Sequence, residues 1–204
     1  MSSRVEIAYC GEGPTDAAVA RRLILAAGAV PGYDYLTGRP GRGKSSIDSR
    51  LSGFNVLARR QPVLVLRDLD TDAACPGALV QSLVPRREAS LLLRIAVRSI
   101  EAWLMADRAA FAKAMGMREA DITTSPEKLV KPKAELERLL RDSKDRSLRR
   151  RIGLDSTTGR LQPQVLAAEL SEFATSDWDP ARAAKSGHAP PLTRAFLRLC
   201  DLVS

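Results

Sequence analysis

Aromatic residues make up only 4% of this 204-residue chain, and histidine occurs once. The first shortage argues against a single-strand binder built on stacking platforms. The second excludes a zinc centre made of several histidines. His188 itself sits in a Ser-Gly-His-Ala-Pro-Pro loop with no nucleophile context, and it receives no role. The three cysteines, Cys10, Cys75 and Cys200, are widely separated and lack CxxC spacing, which disfavours structural zinc. An odd number of unpaired thiols suits a reducing compartment. Cys10 ends a strand-like run and Cys200 lies on an apolar helix face, so both read as buried thiols. No apolar run approaches the roughly 18 residues that cross a bilayer, and the first residues lack the apolar core of a signal peptide. The expectation is a cytoplasmic protein without membrane contact.

Arginine, by contrast, is abundant. The chain has 25 arginines and 7 lysines against 24 acids, a net charge of +8. Such an excess points to an anionic partner, of which nucleic acid is the commonest. The bland alternative is a solvated basic surface.

Patterning divides the chain into an α/β segment, residues 1–107, and a helical extension, residues 108–204. In the first, strand-like runs at 5–10, 33–37, 62–67 and 91–98 alternate with helical spacing at 16–27, 46–59 and 76–83. Alternation of this kind predicts a mostly parallel four-stranded sheet, Rossmann-like, covered by helices on both faces. Near-continuous apolar strands such as PVLVLR and LLLRIAVR are what burial on both faces requires. In the second segment Asp107 reads as a helix cap, and Pro126, Pro132, Pro163 and Pro180 each fit a first helical position. The stretch 138–160 is strongly basic and includes Arg149, Arg150 and Arg151.

Three acidic groups follow the strand-like runs. Glu12 and Asp16 come after the first, Asp68 and Asp70 after the third, Glu101 after the fourth. In open parallel sheets the carboxyl ends of strands meet at one edge, where ligands bind. Carboxylates gathered there repel unless a cation neutralises them, and carboxylate oxygens are the ligands Mg2+ and Mn2+ prefer. Each acid also has a structural reading. Thr15 or Asp16 can cap the first helix; Asp68 and Asp70 can belong to a turn; Glu101 can pair with Arg98 or Arg67. Asp68 and Asp70 alternate along an extended segment, which predicts that both point the same way.

Gly38–Ser45 matches the Walker A pattern G-x-x-x-x-G-K-[ST]. A P-loop would use Lys44 and backbone N–H groups to hold phosphate. The run before it is weak, and the scheme leaves the Glu12 unit without a role. The preferred expectation is a basic flap, with Arg39, Arg42 and Lys44 gripping a nucleic-acid phosphate.

Glu12-Gly13-Pro14-Thr15-Asp16, followed by Asp68-Leu69-Asp70 after the third strand, resembles the Toprim domain. That domain is the catalytic module of topoisomerases, bacterial primases and the overcoming-lysogenization-defect (OLD) nucleases. IAVRSIEAWLMAD at 95–107, with Pro126-Glu127 and Pro132-Lys133, is similar to small OLD-like bacterial proteins associated with ATPases in phage-defence loci. The resemblance implies that Glu12 and Asp16 hold or adjoin one metal and that Asp68 and Asp70 hold the pair. It also implies that Glu101 is the third acidic position and Lys133 the basic residue. No ATPase domain is attached, so an ATP-driven step would need a separate subunit. A homodimer is left open.

The resulting expectation is a nuclease or nickase using one or two Mg2+ or Mn2+ ions, with Glu12, Asp68, Asp70, Glu101 and Lys133 as catalytic residues. Arg39, Arg42, Lys44 and Arg149–Arg151 would hold the nucleic-acid backbone. The alternatives are a non-catalytic nucleic-acid-binding subunit of an ATPase complex and a P-loop nucleotide-binding enzyme.

Overall fold

A computed structural model describes residues 4–36, 43–143, 145–155, 157–158 and 160–204. Strands β1 (Glu6–Cys10), β2 (Val30–Asp34), β3 (Val63–Asp68) and β4 (Leu91–Ala96) form one sheet in the order β2-β1-β3-β4. These pairings are all parallel, so the α/β expectation holds, and among the described residues no antiparallel strand enters the sheet. Alternation along the strands feeds two cores. Leu64, Leu66, Leu92 and Ala96 face one, while Val63, Val65, Leu91, Leu93 and Ile95 face the other.

Helices α2 (Lys44–Asp48), α3 (Leu51–Leu57) and α4 (Pro76–Leu83) cover the second face through Ile47, Leu51, Phe54 and Leu79. The stretch 46–59 reads as one helix but is two. Arg50 sits at the break, where Nε donates to Ser46 O at 2.8 Å and Nη1 to Tyr35 O at 2.9 Å. A side chain tied to those carbonyls turns the helix axis at that point. β2 begins three residues before the predicted strand. Pro31 and Gly32 disguise it as a turn, but an edge strand tolerates proline. Val30 N donates to Val5 O at 2.9 Å and starts the pairing.

The first face is covered by α1 (Pro14–Ala26) and then by α5 (Ile100–Met105), α6 (Arg108–Ala114), α7 (Pro132–Asp142), α8 (Arg146–Arg151), α9 (Pro163–Ser176), α10 (Pro180–Lys185) and α11 (Pro190–Val203). Leu23 and Ile24 of α1 share one buried cluster with Phe111, Leu140, Phe173, Trp178 and Leu199. Helices from residues 108–204 thus complete the same core as the sheet. Burying each such side chain stabilises the fold by about 1.5–3 kcal/mol. Cys10 is buried as expected, whereas Cys200 is only half-buried and Cys75 is exposed.

Asp107 occupies the N-cap position of α6 but does not cap it with its side chain. Its carboxylate instead accepts from Arg182 Nε and Nη2, each at 2.6 Å, and from Asp179 N at 3.1 Å. The residue clamps α10 onto the core. Asp107→Ala is therefore expected to cost about 2–3 kcal/mol, a charged hydrogen-bond loss moderated by the half-exposed arginine. Urea denaturation measures this, and a midpoint equal to that of the parent would refute the clamp.

Candidate active site

The loops after β1, β3 and β4 meet at the carboxyl edge of the sheet. Gly11 makes the first contact possible: a Cβ there would lie 2.3 Å from Asp16 Cβ. The glycine lets α1 close tightly over the end of β1, and that close approach is to protein rather than to a ligand. The N-cap of α1 is Gly13, not Thr15 or Asp16. Pro14 takes the first helical position, where a missing N–H costs nothing. Asp16 falls at the third, and its Oδ2 accepts from Gly13 N at 3.1 Å. Thr15 Oγ1 donates to Ala167 O at 3.2 Å, tying α1 to α9.

Glu12, Asp16, Asp68, Asp70 and Glu101 all line one cavity of about 820 Å³. Lys44, Arg98, Lys131 and Lys133 line it as well. Glu12 Oε1 accepts from Asp68 N at 2.9 Å, which joins the first and third strand ends directly. Burial raises the proton affinity of Asp68, and the negative charges of Asp16, Glu101, Glu12 and Asp70 raise it further. Asp16 is lifted by burial, then by Glu12 and Glu101. Burial also raises Glu12, against the lowering effect of the Asp68 N–H and Arg67. The acids thus sense one another as a cluster, which is the condition under which carboxyl groups resist ionising without a cation.

Two oxygens identify the strain in this cluster. Asp16 Oδ1 and Asp68 Oδ1 are buried and accept no hydrogen bond. A buried acceptor without a donor costs about 1–3 kcal/mol. An oxygen-only, multiply charged donor set with two orphaned oxygens fits a hard divalent cation such as Mg2+ or Mn2+. Among the described residues, no three His, Cys, Asp or Glu side chains already form a group that holds an ion. The reason is visible in the individual contacts. Glu12 is turned to Asp68 N, Glu101 Oε2 accepts from Ser99 Oγ at 2.6 Å, and Asp70 Oδ2 lies 3.3 Å from Lys44 Nζ. Each is held by a protein donor on one oxygen. Among the described residues Glu101 forms no ion pair with Arg67 or Arg98.

Asp70 reaches the cavity differently from the expected alternation. β3 ends at Asp68, and Asp70 adopts φ 47°, in the left-handed region. Arg98 Nη1 donates to its carbonyl at 2.7 Å and holds that turn. A non-glycine residue in this conformation is uncommon, though aspartate tolerates it better than most. Lys44 also contacts Asp72 at 2.8 Å. Asp72 in turn accepts from Arg67 Nη2 at 2.5 Å.

Arg67 does not take the Glu101 pairing expected of it but serves other acids. It is 2% exposed. Its guanidinium binds Asp48 at 3.1 Å and the Asp68 carbonyl, and lies 3.9 Å from Glu12. The available signal was a charge closing the apolar run VLVLR; its partner Asp48 lies on α2 and carries no pattern of its own. Glu127 has a supporting role. Trp103 Nε1 donates to it at 3.1 Å, anchoring α5, the helix that carries Glu101. Burial pushes the Glu127 carboxyl up to about 7.

Arg149, Arg150 and Arg151 lie on α8 and do not line the cavity. Arg151 is bound to Glu169 at 2.6 Å and to Ala114 O at 2.7 Å, a structural use of its charge. Arg39 and Arg42 lie outside the described residues. The Walker-like loop follows β2, the edge strand, rather than a central one. No helix among the described residues is long and apolar enough to cross a membrane. Comparison with models of known protein families, with characterised proteins and with solved structures finds no match.

Proposed function

We propose that this chain is a Toprim-like, OLD-related hydrolase that cleaves nucleic-acid phosphodiesters with one or two Mg2+ or Mn2+ ions. The reading is supported chiefly by one observation: five acids from three strand ends share a single cavity in which Asp16 Oδ1 and Asp68 Oδ1 lack donors. Glu12, Asp16, Asp68, Asp70 and Glu101 would hold the metal. When bound, the ion polarises the phosphoryl group and lowers the pKa of water so that it can attack. The chain supplies the rest. Lys131 and Lys133 line the same cavity as the acids, where Lys133 can balance charge on the scissile phosphate. Lys44, released from Asp70 and Asp72, can take a neighbouring phosphate. Work in a phage-defence complex with a separate ATPase belongs to the same proposal.

Relaxation of supercoiled plasmid by Mn2+ without ATP tests the reading directly. Cleavage is expected from the parent protein and should fall by about 10³-fold in Glu12→Ala, a loss comparable to removing one strong electrostatic contributor. Equal rates in parent and variant would end the catalytic proposal. Metal-independent retention of DNA without cleavage would instead favour the non-catalytic binding subunit.

Lys44→Ala separates both readings from a P-loop enzyme. If Lys44 meets backbone phosphate, its removal weakens nucleic-acid binding at every sequence and lowers the log–log salt slope by about one. Loss of ATP binding in the variant, with nucleic-acid affinity intact, would point to the P-loop instead.

A further inference from the structure

A second charged cavity lies away from the carboxylates, on the open side of β4. Among the described residues that strand pairs only with β3, which leaves its other edge without a strand. Arg94 projects from its middle, two residues before Ala96, the register partner of Asp68. Two residues span about 7 Å of strand. Arg94 Nε is buried and has no hydrogen-bond partner. Burial, together with the positive charges of Arg87, Arg198 and Arg194, lowers its pKa to about 10.

Among the described residues, none of these four arginines forms an ion pair. Arg87 Nη1 makes only a long contact, 3.5 Å, to Leu93 O. The carboxylate that feels Arg194 is Glu127, and it is committed to Trp103. A guanidinium desolvated among like charges is costly unless something anionic joins it. The space for such a group exists. A cavity of about 230 Å³ is lined by Arg87, Arg94 and Arg194, by Pro76 and Gly77 at the start of α4, and by Pro191 at the start of α11. A Cβ on Gly77 would meet nothing within 4 Å. Both helix starts add partial positive charge toward the same space.

We propose that Arg87, Arg94 and Arg194, with Arg198 adding charge from the next turn of α11, form a binding site for a phosphoryl group, supplied by a nucleic-acid backbone or by a small phosphorylated ligand. Guanidinium forks match phosphate oxygens in pairs and remain charged throughout the neutral range. Cations that form no ion pair among the described residues call for a multiply charged anion more than for a single carboxylate. Arg94 forms the floor and the exposed Arg87 and Arg194 form the rim, while the exposed Arg198 acts on the site by charge alone. The site stands whether or not the carboxylate cavity holds metal.

Calorimetric titration with inorganic phosphate at constant ionic strength tests it, using the parent, Arg94→Gln and the double rim variant R194Q/R198Q. The parent should bind saturably, and both arginine variants should bind at least about tenfold more weakly, as expected for losing a charged hydrogen bond. The rim positions are exposed on α11, so their replacement tests the site even if Arg94→Gln fails to fold. Anisotropy with a labelled oligonucleotide then identifies the source. A parallel loss in R194Q/R198Q assigns the site to backbone phosphate; loss of inorganic phosphate alone assigns it to a small ligand. An absence of saturable binding to the parent, or equal affinity in the parent and R194Q/R198Q, overturns the proposal.

Discussion

Asp68→Asn is expected to abolish metal-dependent cleavage and, in the absence of metal, to make the protein more stable than its parent. The two effects have one cause. Asp68 is surrounded by Asp16, Glu101, Glu12 and Asp70, and burial compounds the repulsion. Asparagine keeps the shape, removes the charge and adds a donor that the neighbouring carboxylates can use. Relief of one such repulsion contributes about 1–3 kcal/mol, the scale of a one- to two-unit pKa effect. For a chain of this length that raises the melting temperature by a few degrees, at about 2–4 °C per kcal/mol. The catalytic loss should reach about 10³-fold or more. A salt-bridged structural aspartate would behave in the opposite way, because its neutralisation strands a cation. If metal-free Asp68→Asn melts below the parent at pH 8, the cluster is not the source of repulsion described above.

The same cluster sets the pH response. Asp16 and Asp68 hold their protons more tightly in the folded chain than at the ordinary value of 3.8. The folded state therefore binds more protons than the unfolded state above that pH, and stability falls as pH rises. Glu127 contributes in the same direction between its ordinary 4.5 and about 7. A divalent cation replaces the lost protons at the cluster, so the thermal shift produced by Mn2+ should grow from pH 5 to pH 8. Asp68→Asn should lose most of that growth.

The buried strands were legible because parallel pairing under helices on both faces demands long apolar runs. Expected and observed limits for β3 and β4 differ by one or two residues at most. β2 was not legible in the same way, since Pro31 and Gly32 carry turn chemistry and only its edge position permits them. Among the acids, residue identity was readable and conformation was not. Alternation along an extended strand predicts that Asp68 and Asp70 point the same way, yet Asp70 turns into the left-handed region and reaches the cavity by another route. Partnerships across the chain were hidden as well. Asp48 precedes Arg67 by 19 residues on a different element, and Arg94 meets Arg194 and Arg198 only because α11 returns to the edge of β4. Local pattern reports what an element buries; it does not report which element arrives beside it.

Arg67→Met should produce the largest loss of stability of any single change at the site. Arg67 is fully enclosed and serves Asp48, Asp72, Glu12 and the Asp68 carbonyl together. Methionine fills much of the volume but leaves those acids without their counter-charge. Breaking a buried pair in this one-sided manner costs about 3–5 kcal/mol, or about 10 °C at the rate given for this chain length. Arg67→Lys should recover only part of the loss, because an ammonium cannot present two forks to Asp48 and Asp72 at once. The companion Asp48→Asn in the Arg67→Met background should restore stability, since it removes one of the stranded charges; that coupling separates an electrostatic hub from a mere packing defect. Cleavage should fall in Arg67→Met even where the protein remains folded, because Glu12 and the Asp68 backbone lose the group that fixes their spacing. If Arg67→Met melts within about 2 °C of the parent, about 0.5–1 kcal/mol by the same conversion, the acids tolerate one another without it, and their spacing is not held by its charge.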